Sequence, residues 1–342
     1  MKTQVIIVGS GISGLVLSYL LKEKGVDHVV LNRVEKQKAL ELPETVPPST
    51  LALLESLNLL ELFSKRSSKT FGYHSLWGSG PLRTDNYLHH NPYKFGLKLN
   101  RKEVLQDLEF LVSDHLFSYN HLKELQQNDK GISVLLEFEN QPISIEGNII
   151  IDATGRNRAV LKQLDIISEF FDNQIALSCH LPYFKHPHLI HPVFIESFEH
   201  GWGIVSALND ETNVMTLYTQ NGSPLQHSLK DYENWKDVLS NTKILKDFLS
   251  DSVNPAIHVG NANSSRATQI TGSNWMAIGN AAIAFNPLSS HRISNVVYCA
   301  NAAANAITAE DRSASFQRYD DTLGKIFEAY LSHRIGLMED VG

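Results

Sequence analysis

The sequence predicts an α/β protein: a Rossmann-type domain, discontinuous along the chain, with a β-rich lobe inserted into it. Three observations predict it. Residues 4–8 read as a strand whose aliphatic run, Val5 to Val8, stops at glycine, as a strand buried on both faces does. The glycines Gly9, Gly11 and Gly14 follow in G-x-G-x-x-G spacing and lead into helical periodicity over 15–24, with Gly25 at its end. A second strand, expected over 28–31, closes a β-α-β unit of about 30 residues. Strand-to-glycine transitions recur at Asp152-Ala153-Thr154-Gly155 and at Gly279-Asn280-Ala281-Ala282, so the elements of this domain return in the middle and near the end of the chain.

Between these anchors the pattern changes. Residues 42–60 open with prolines and continue as a leucine-rich amphipathic helix that starts at Ser49 or Thr50. Residues 71–95, rich in aromatics, glycine and histidine, read as loops and short strands able to line a cavity. A helix is expected over 101–112, and two strands over 131–138 and 143–151, joined through Asn140, Gln141 and Pro142. Residues 175–218 alternate apolar and polar residues as half-buried strands do. A short strand at 275–278 precedes a helix over 295–309. The expected division is a cofactor domain of residues 1–60, 96–165 and 265–310, a substrate domain of 61–95 and 166–264, and a helical segment of 311–342.

Composition narrows the functional classes. At 42% hydrophobic and 20% charged residues, the 342-residue chain has the makings of a large core. Thirty basic residues against 37 acidic ones give −7 with no dense basic block, which speaks against a nucleic-acid partner. Cys179 and Cys299 lie far apart without metal-ligand spacing and are expected as buried thiols. The first apolar run is too short for a leader or a membrane span, so a cytoplasmic location is expected. The histidines of the stretch 186–191 are bordered by prolines and lack an acidic ligand at helical spacing, so no metal is expected.

The glycine loop carries the most specific chemistry. Gly9 permits the tight turn, Gly11 lets a pyrophosphate approach the backbone, and Gly14 lets helix and strand pack closely, while the amides at Ile12 and Ser13 open the helix toward the phosphates. The acidic residue that usually ends the second strand, where it binds a ribose, is replaced by Asn32, which keeps a hydrogen bond but not its charge. Arg33 beside it suits either a phosphate contact or a solvated surface.

Taken in order, the segments GSGISG (9–14), ETVPPSTLALLESLNL (44–59), SLWGSGP (75–81), GLKLNR (96–101), IIDATGRNR (150–158) and IGNAAIAFNPLSS (278–290) resemble the superfamily of FAD-dependent monooxygenases and flavin-dependent halogenases. Within it the chain is most similar to the LodB-like flavoproteins that mature tryptophylquinone cofactors. The resemblance implies a glutathione-reductase-like FAD-binding fold. It also implies that Arg101 reaches back to the FAD phosphates, that Asp152 and Gly155 approach the cofactor, and that Gly279, Asn280, Pro287 and Ser290 border it. Asn280 and Asn286 stand where the family has aspartates, and His291-Arg292 where it has glutamine-glycine. Glu44 and His291 are the implied catalytic candidates, as base or proton shuttle. Trp77 and Trp202 are the candidate aromatic walls of a substrate pocket.

What the resemblance implies for function is an FAD-dependent monooxygenase that hydroxylates an aromatic substrate, either a small molecule or a tryptophan side chain of a partner protein. Electrons would come from a separate flavin reductase or from NAD(P)H. One alternative is a flavoprotein-fold binding module or maturation factor with weakened or lost FAD binding, for which the acid-to-amide replacements argue. The other is a halogenase, disfavoured because only the first tryptophan of the Trp-x-Trp-x-Ile-Pro signature remains, at Trp202, and because Lys65 and Lys69 lack the surrounding pattern halogenation needs.

Overall fold

The computed structural model describes residues 1–34, 40–128, 131–289 and 292–339. Its first sheet is parallel through Leu116–Tyr119, His28–Arg33, Lys2–Val8, Gln141–Asp152 and Trp275–Ala277. It continues antiparallel through Gly131–Phe138 and His121–Asn128. Glu139 and Asn140 make the turn before Gln141 with positive φ, which a short polar side chain such as asparagine tolerates better than most. Helices Ile12–Glu23 and Arg292–Ile307 pack side by side on this sheet. Val5 to Val8 are therefore wholly buried, the physical reason for an aliphatic run without alternation.

A second sheet, antiparallel except where Val193–Phe198 runs parallel to Gly72–Leu76, contains Gly72–Leu76, Arg83–Asn86, Gln174–Pro182, Val193–Phe198, Gly201–Ala207, Thr212–Gln220 and His258–Asn261. Alternation sorts its two faces. Leu177, Cys179, Phe194, Met215 and Leu217 point to a separate apolar core closed by Tyr232, Trp235 and Leu245. Ala176, Ser178, Ile204, Ser206, Thr216 and Tyr218 have the opposite parity and line a cleft against the first sheet.

Glu44–Val46, Gly96–Leu99 and Ser67–Thr70 form a small sheet between these bodies. Helix Pro48–Ser56 starts one residue before the expected Ser49, its first turn favoured by a proline whose missing N–H has no helical acceptor anyway. The Thr50 hydroxyl instead meets the Ser294 hydroxyl at 2.5 Å, tying this helix to Arg292–Ile307. The last helix, Arg312–Glu339, lays Phe316, Tyr319, Leu323 and Phe327 along one buried stripe, and the Tyr319 hydroxyl donates to the carbonyl of Ala277 at 2.9 Å. Among the described residues no helix is long and apolar enough to cross a membrane.

Candidate functional site

The cleft between the two sheets has a volume of about 2370 Å³, well above the roughly 300–1,000 Å³ of ordinary small-ligand pockets. The glycine loop forms one end. Gly9 adopts φ +113°, and a side chain there would come within 2.6 Å of the Ala153 carbonyl oxygen. At Gly14 a Cβ would lie 1.9 Å from the Gly9 carbonyl oxygen, so only glycine lets helix and strand meet. Gly11 differs from both, since a Cβ there would meet no atom within 4 Å and would project into open space. Ile12 and Ser13 also line the cleft, and neither an acidic residue in the first turn nor a side-chain cap competes for the helix N-terminal amides. A backbone left bare at a helix N-terminus is what a pyrophosphate needs.

Asn32 and Arg33 line the cleft at the end of the second strand. The Ser10 hydroxyl donates to Asn32 Oδ1 at 2.6 Å, which fixes the amide beside the glycine loop. Asp152 departs from the expected role. Its carboxylate is fully buried and accepts from the Thr154 amide and hydroxyl and from the Val160 and Leu161 amides, at 2.6–3.0 Å. Burial pushes its pKa up and these hydrogen bonds pull it down, burial being the larger effect. Asp152 therefore holds the turn, while Gly155, at φ +64°, faces the cleft.

The next two arginines were not singled out by the sequence. Arg156 lines the cleft and donates to both the carbonyl and the side chain of Asn263 and, at 2.8 Å, to the Phe285 carbonyl, so it binds the turn after Asp152 to two distant segments. Burial first, then nearby Arg292, lowers its pKa to about 10. Arg158, buried at φ +50°, donates to the Ala281 carbonyl and the Ser265 hydroxyl. Gly279 lies beneath the surface at φ +56°, packed by Ser13 and Val296, whereas Asn280 and Pro287 reach the cleft. Asn286 is committed to the fold: its side chain donates to Gln174 Oε1 and accepts from the Leu288 amide. Ser290 and His291 lie outside the described residues.

Glu44 is the buried acid of the cleft. One carboxylate oxygen meets Arg101 Nε at 3.1 Å and Arg292 Nη1 at 3.5 Å, and the other has no hydrogen-bond partner among the described residues. Six basic side chains and three acidic ones line the cleft, counting Lys, Arg, Asp and Glu among the described residues, although the chain as a whole carries −7. That reversal of sign favours an anionic occupant.

On the sheet face, Trp77 lines the cleft, but Trp202 is stacked beneath Tyr218 at 3.9 Å between ring centroids and lies behind it. Tyr218, which sequence reasoning missed, thus presents the aromatic surface, and Trp77 flanks Trp202 at 6.4 Å. Lys69 sits over the Phe95 ring, and neither it nor Lys65 lines the cleft. His186 pairs with Asp247 at 3.1 Å and His191 with Asn86 at 2.8 Å. No group of three or more His, Cys, Asp or Glu side chains among the described residues is arranged to hold a metal. Cys179 and Cys299 are free and buried, their thiols pushed up to about 12 and about 11 by burial.

These residues fit a dinucleotide: a bare glycine backbone for the pyrophosphate, a neutral amide for a ribose, and a basic cleft wide enough for a long ligand. Comparison with known proteins points the same way. A family model described as an FAD binding domain matches residues 2–287. LodB of Marinomonas mediterranea, named as an FAD-dependent oxidoreductase, is 25% identical over 183 residues, covering 53% of this chain and 49% of that protein. The FAD-dependent monooxygenase nodM of Hypoxylon pulicicidum is 26% identical over 171 residues, covering 47% of this chain and 35% of that one. The aligned stretches thus span about half of one curated relative and about a third of the other. Among solved structures, the flavin-dependent halogenase CmlS superposes with a TM-score of 0.83 at 18% identity, over 96% of this chain and 63% of that one. The peptidyl tryptophan dihydroxylase QhpG superposes with a TM-score of 0.77 at 15% identity, over 99% of this chain and 76% of that one. At such identities the structural likeness speaks for the fold.

Proposed function

The chain belongs to the FAD-binding-domain family, and from that membership we propose that it is an FAD-dependent monooxygenase hydroxylating an aromatic ring, with an indole side chain of a partner protein as the favoured substrate. The single observation that carries the reading is the continuity of the cleft, which runs from the glycine loop to the sheet face bearing Tyr218 and Trp77. FAD, when bound, supplies the redox chemistry and the activation of dioxygen. The backbone of Gly9 to Gly14 would hold its pyrophosphate, Asn32 a ribose hydroxyl, and Arg101 adds positive charge to the same cleft.

The remaining work falls to this chain's residues. Tyr218, backed by Trp202, gives a flat, rigid surface on which an aromatic ring can stack, because the indole beneath restrains the phenol ring. Ile195, Ile204 and Val214 line the same wall and keep it apolar, which helps exclude water. Glu44, bridging Arg101 and Arg292, sets the charge of the adjoining wall and is the candidate base of the cleft. The likeness to LodB supports an FAD-dependent oxidoreductase, and that to a peptidyl tryptophan dihydroxylase supports a protein-borne indole as substrate. A free aromatic metabolite is the alternative within the same reaction class. Electrons are assigned to a separate flavin reductase or to NAD(P)H, and the free buried thiols suit a cytoplasmic setting. The absence of Lys65 and Lys69 from the cleft favours oxygenation over halogenation.

The test begins with the absorbance spectrum of the purified protein after FAD titration and continues with turnover under ¹⁸O₂ in the presence of a flavin reductase. Flavin binding and one labelled oxygen in a hydroxylated aromatic product are expected. A protein that folds but has no affinity for FAD would instead be a binding module or maturation factor.

A further inference from the structure

The cleft-facing side of the second sheet is polar at one end and aromatic at the other, and both ends lie on one strand. Trp202 and Ser206 of Gly201–Ala207 share a face and stand four residues apart, ~13 Å at ~3.3 Å per residue. Beside Trp202 are Tyr218 and Trp77. At the Ser206 end, the Ser178 and Thr216 hydroxyls are bonded to each other at 2.8 Å, and Thr216 is diagonal to Ser206 across the ladder, because Ser206 pairs with Val214 and Thr216 with Ile204. Ser206 lines the cleft, is 4% exposed, and its Oγ has no hydrogen-bond partner among the described residues.

An unmet buried hydroxyl destabilises a fold unless something else is gained. Nothing in the sheet requires it, since valine or alanine would complete that wall, which Val193, Ile195 and Val214 already make apolar. The polarity offered here is of a particular kind. Thr216 is engaged by both Ser178 and the Tyr218 side chain, so the group left over is the Ser206 hydroxyl, whose oxygen offers two acceptor sites against one donor hydrogen and suits a ligand that brings a hydrogen. It does not call for an anion: the nearby ammonium of Lys98 is directed to the carbonyl of Ala207 and does not line the cleft.

We propose that Ser206, with the Ser178–Thr216 hydroxyl pair beside it, is the specificity-determining contact that accepts a hydrogen bond from a ring N–H or O–H of the aromatic substrate. The assignment rests on the aromatic-substrate reading above and narrows it to rings carrying such a donor.

Two ligand pairs test it by equilibrium dialysis against the folded protein, with and without FAD: 3-methylindole against 1,3-dimethylindole, and 4-methylphenol against 4-methoxytoluene. The parent protein is expected to prefer the donor-bearing member of at least one pair by about tenfold, the ratio that ~1.4 kcal/mol supports. Ser206→Ala should remove that preference while leaving the melting temperature unchanged or raised, since no hydrogen bond within the fold is lost. A destabilised Ser206→Ala protein, or one that keeps the preference, overturns the assignment and makes the hydroxyl structural. A parent that binds both members of each pair equally overturns it as well but leaves the aromatic-substrate reading standing. A parent that binds none of the four removes both.

Discussion

Glu44 grips Arg101 with one carboxylate oxygen, at 3.1 Å, and its other oxygen is buried without a hydrogen-bond partner among the described residues. An acid at the centre of a basic cleft restrains the arginines that would otherwise serve an anionic ligand. Glu44→Gln keeps the shape and removes the charge. Because Arg101 is partly exposed, the lost attraction should lower unfolding stability by only about 1 kcal/mol. The same change should tighten ADP or FAD binding about three- to tenfold, since the cleft gains one net positive charge. Denaturant midpoints and isothermal titration measure the two effects. Weaker binding would mean that Glu44 positions Arg101 for the ligand rather than holding it back.

The loop glycines make opposite demands. A side chain at Gly11 would enter open cleft, so Gly11→Val should fold with nearly the parent melting temperature and bind no FAD. A side chain at Gly14 would collide with the Gly9 carbonyl, so Gly14→Ala should lose about 3 kcal/mol or more of stability before any question of ligand arises. Thermal melts paired with flavin titration separate the two. A Gly11→Val protein that binds FAD as the parent does would remove the pyrophosphate from this loop.

The loop was legible in the sequence because its signal is local: the glycines, the aliphatic strand before them and the helical periodicity after them fall within Lys2–Val8 and Ile12–Glu23. The sheet face was only half legible. Alternation announces which residues of Gly201–Ala207 share a side, but the side that meets the cleft is set by pairing with strands far along the chain. Trp202 was accordingly expected on the pocket wall, and Tyr218, its partner in the ladder, stands in front of it. Arg156 was invisible for a similar reason, since Asn263 and Phe285 lie over a hundred positions away. Asp152 misled for the opposite reason: its partners follow within nine residues, and a strand-end acid before glycine suggests a ligand when it serves the turn.

That role of Asp152 is open to measurement. Asn in its place would keep one acceptor and turn an NH₂ group toward buried donors, so Asp152→Asn should cost about 2–4 kcal/mol of stability. The residue does not line the cleft, so FAD affinity measured well below the melting temperature should stay within about threefold of the parent. Flavin affinity lost at unchanged stability would return Asp152 to the cofactor site.

Lys98 gives the protein a distinct dependence on pH. Its ammonium is directed to the Ala207 carbonyl, no acidic side chain among the described residues forms an ion pair with it, and burial lowers its pKa from 10.5 to about 8. Below pH 8 both the folded and the unfolded chain hold the proton, and the cost of burying the charge is present in full. Between pH 8 and 10.5 the unfolded chain binds the proton more tightly, so stability rises with pH by up to about 3 kcal/mol from this one group. Lys98→Met keeps most of the volume and has nothing to titrate. It should be more stable than the parent at pH 7 by about 1–2 kcal/mol, after allowance for the carbonyl left without its donor. The difference between parent and variant, measured by urea unfolding from pH 7 to 10.5, should shrink and then reverse as the parent's lysine loses its charge. Subtracting the two curves cancels every other titrating group, so parallel curves would show that Lys98 keeps an ordinary pKa and that its charge is adequately solvated.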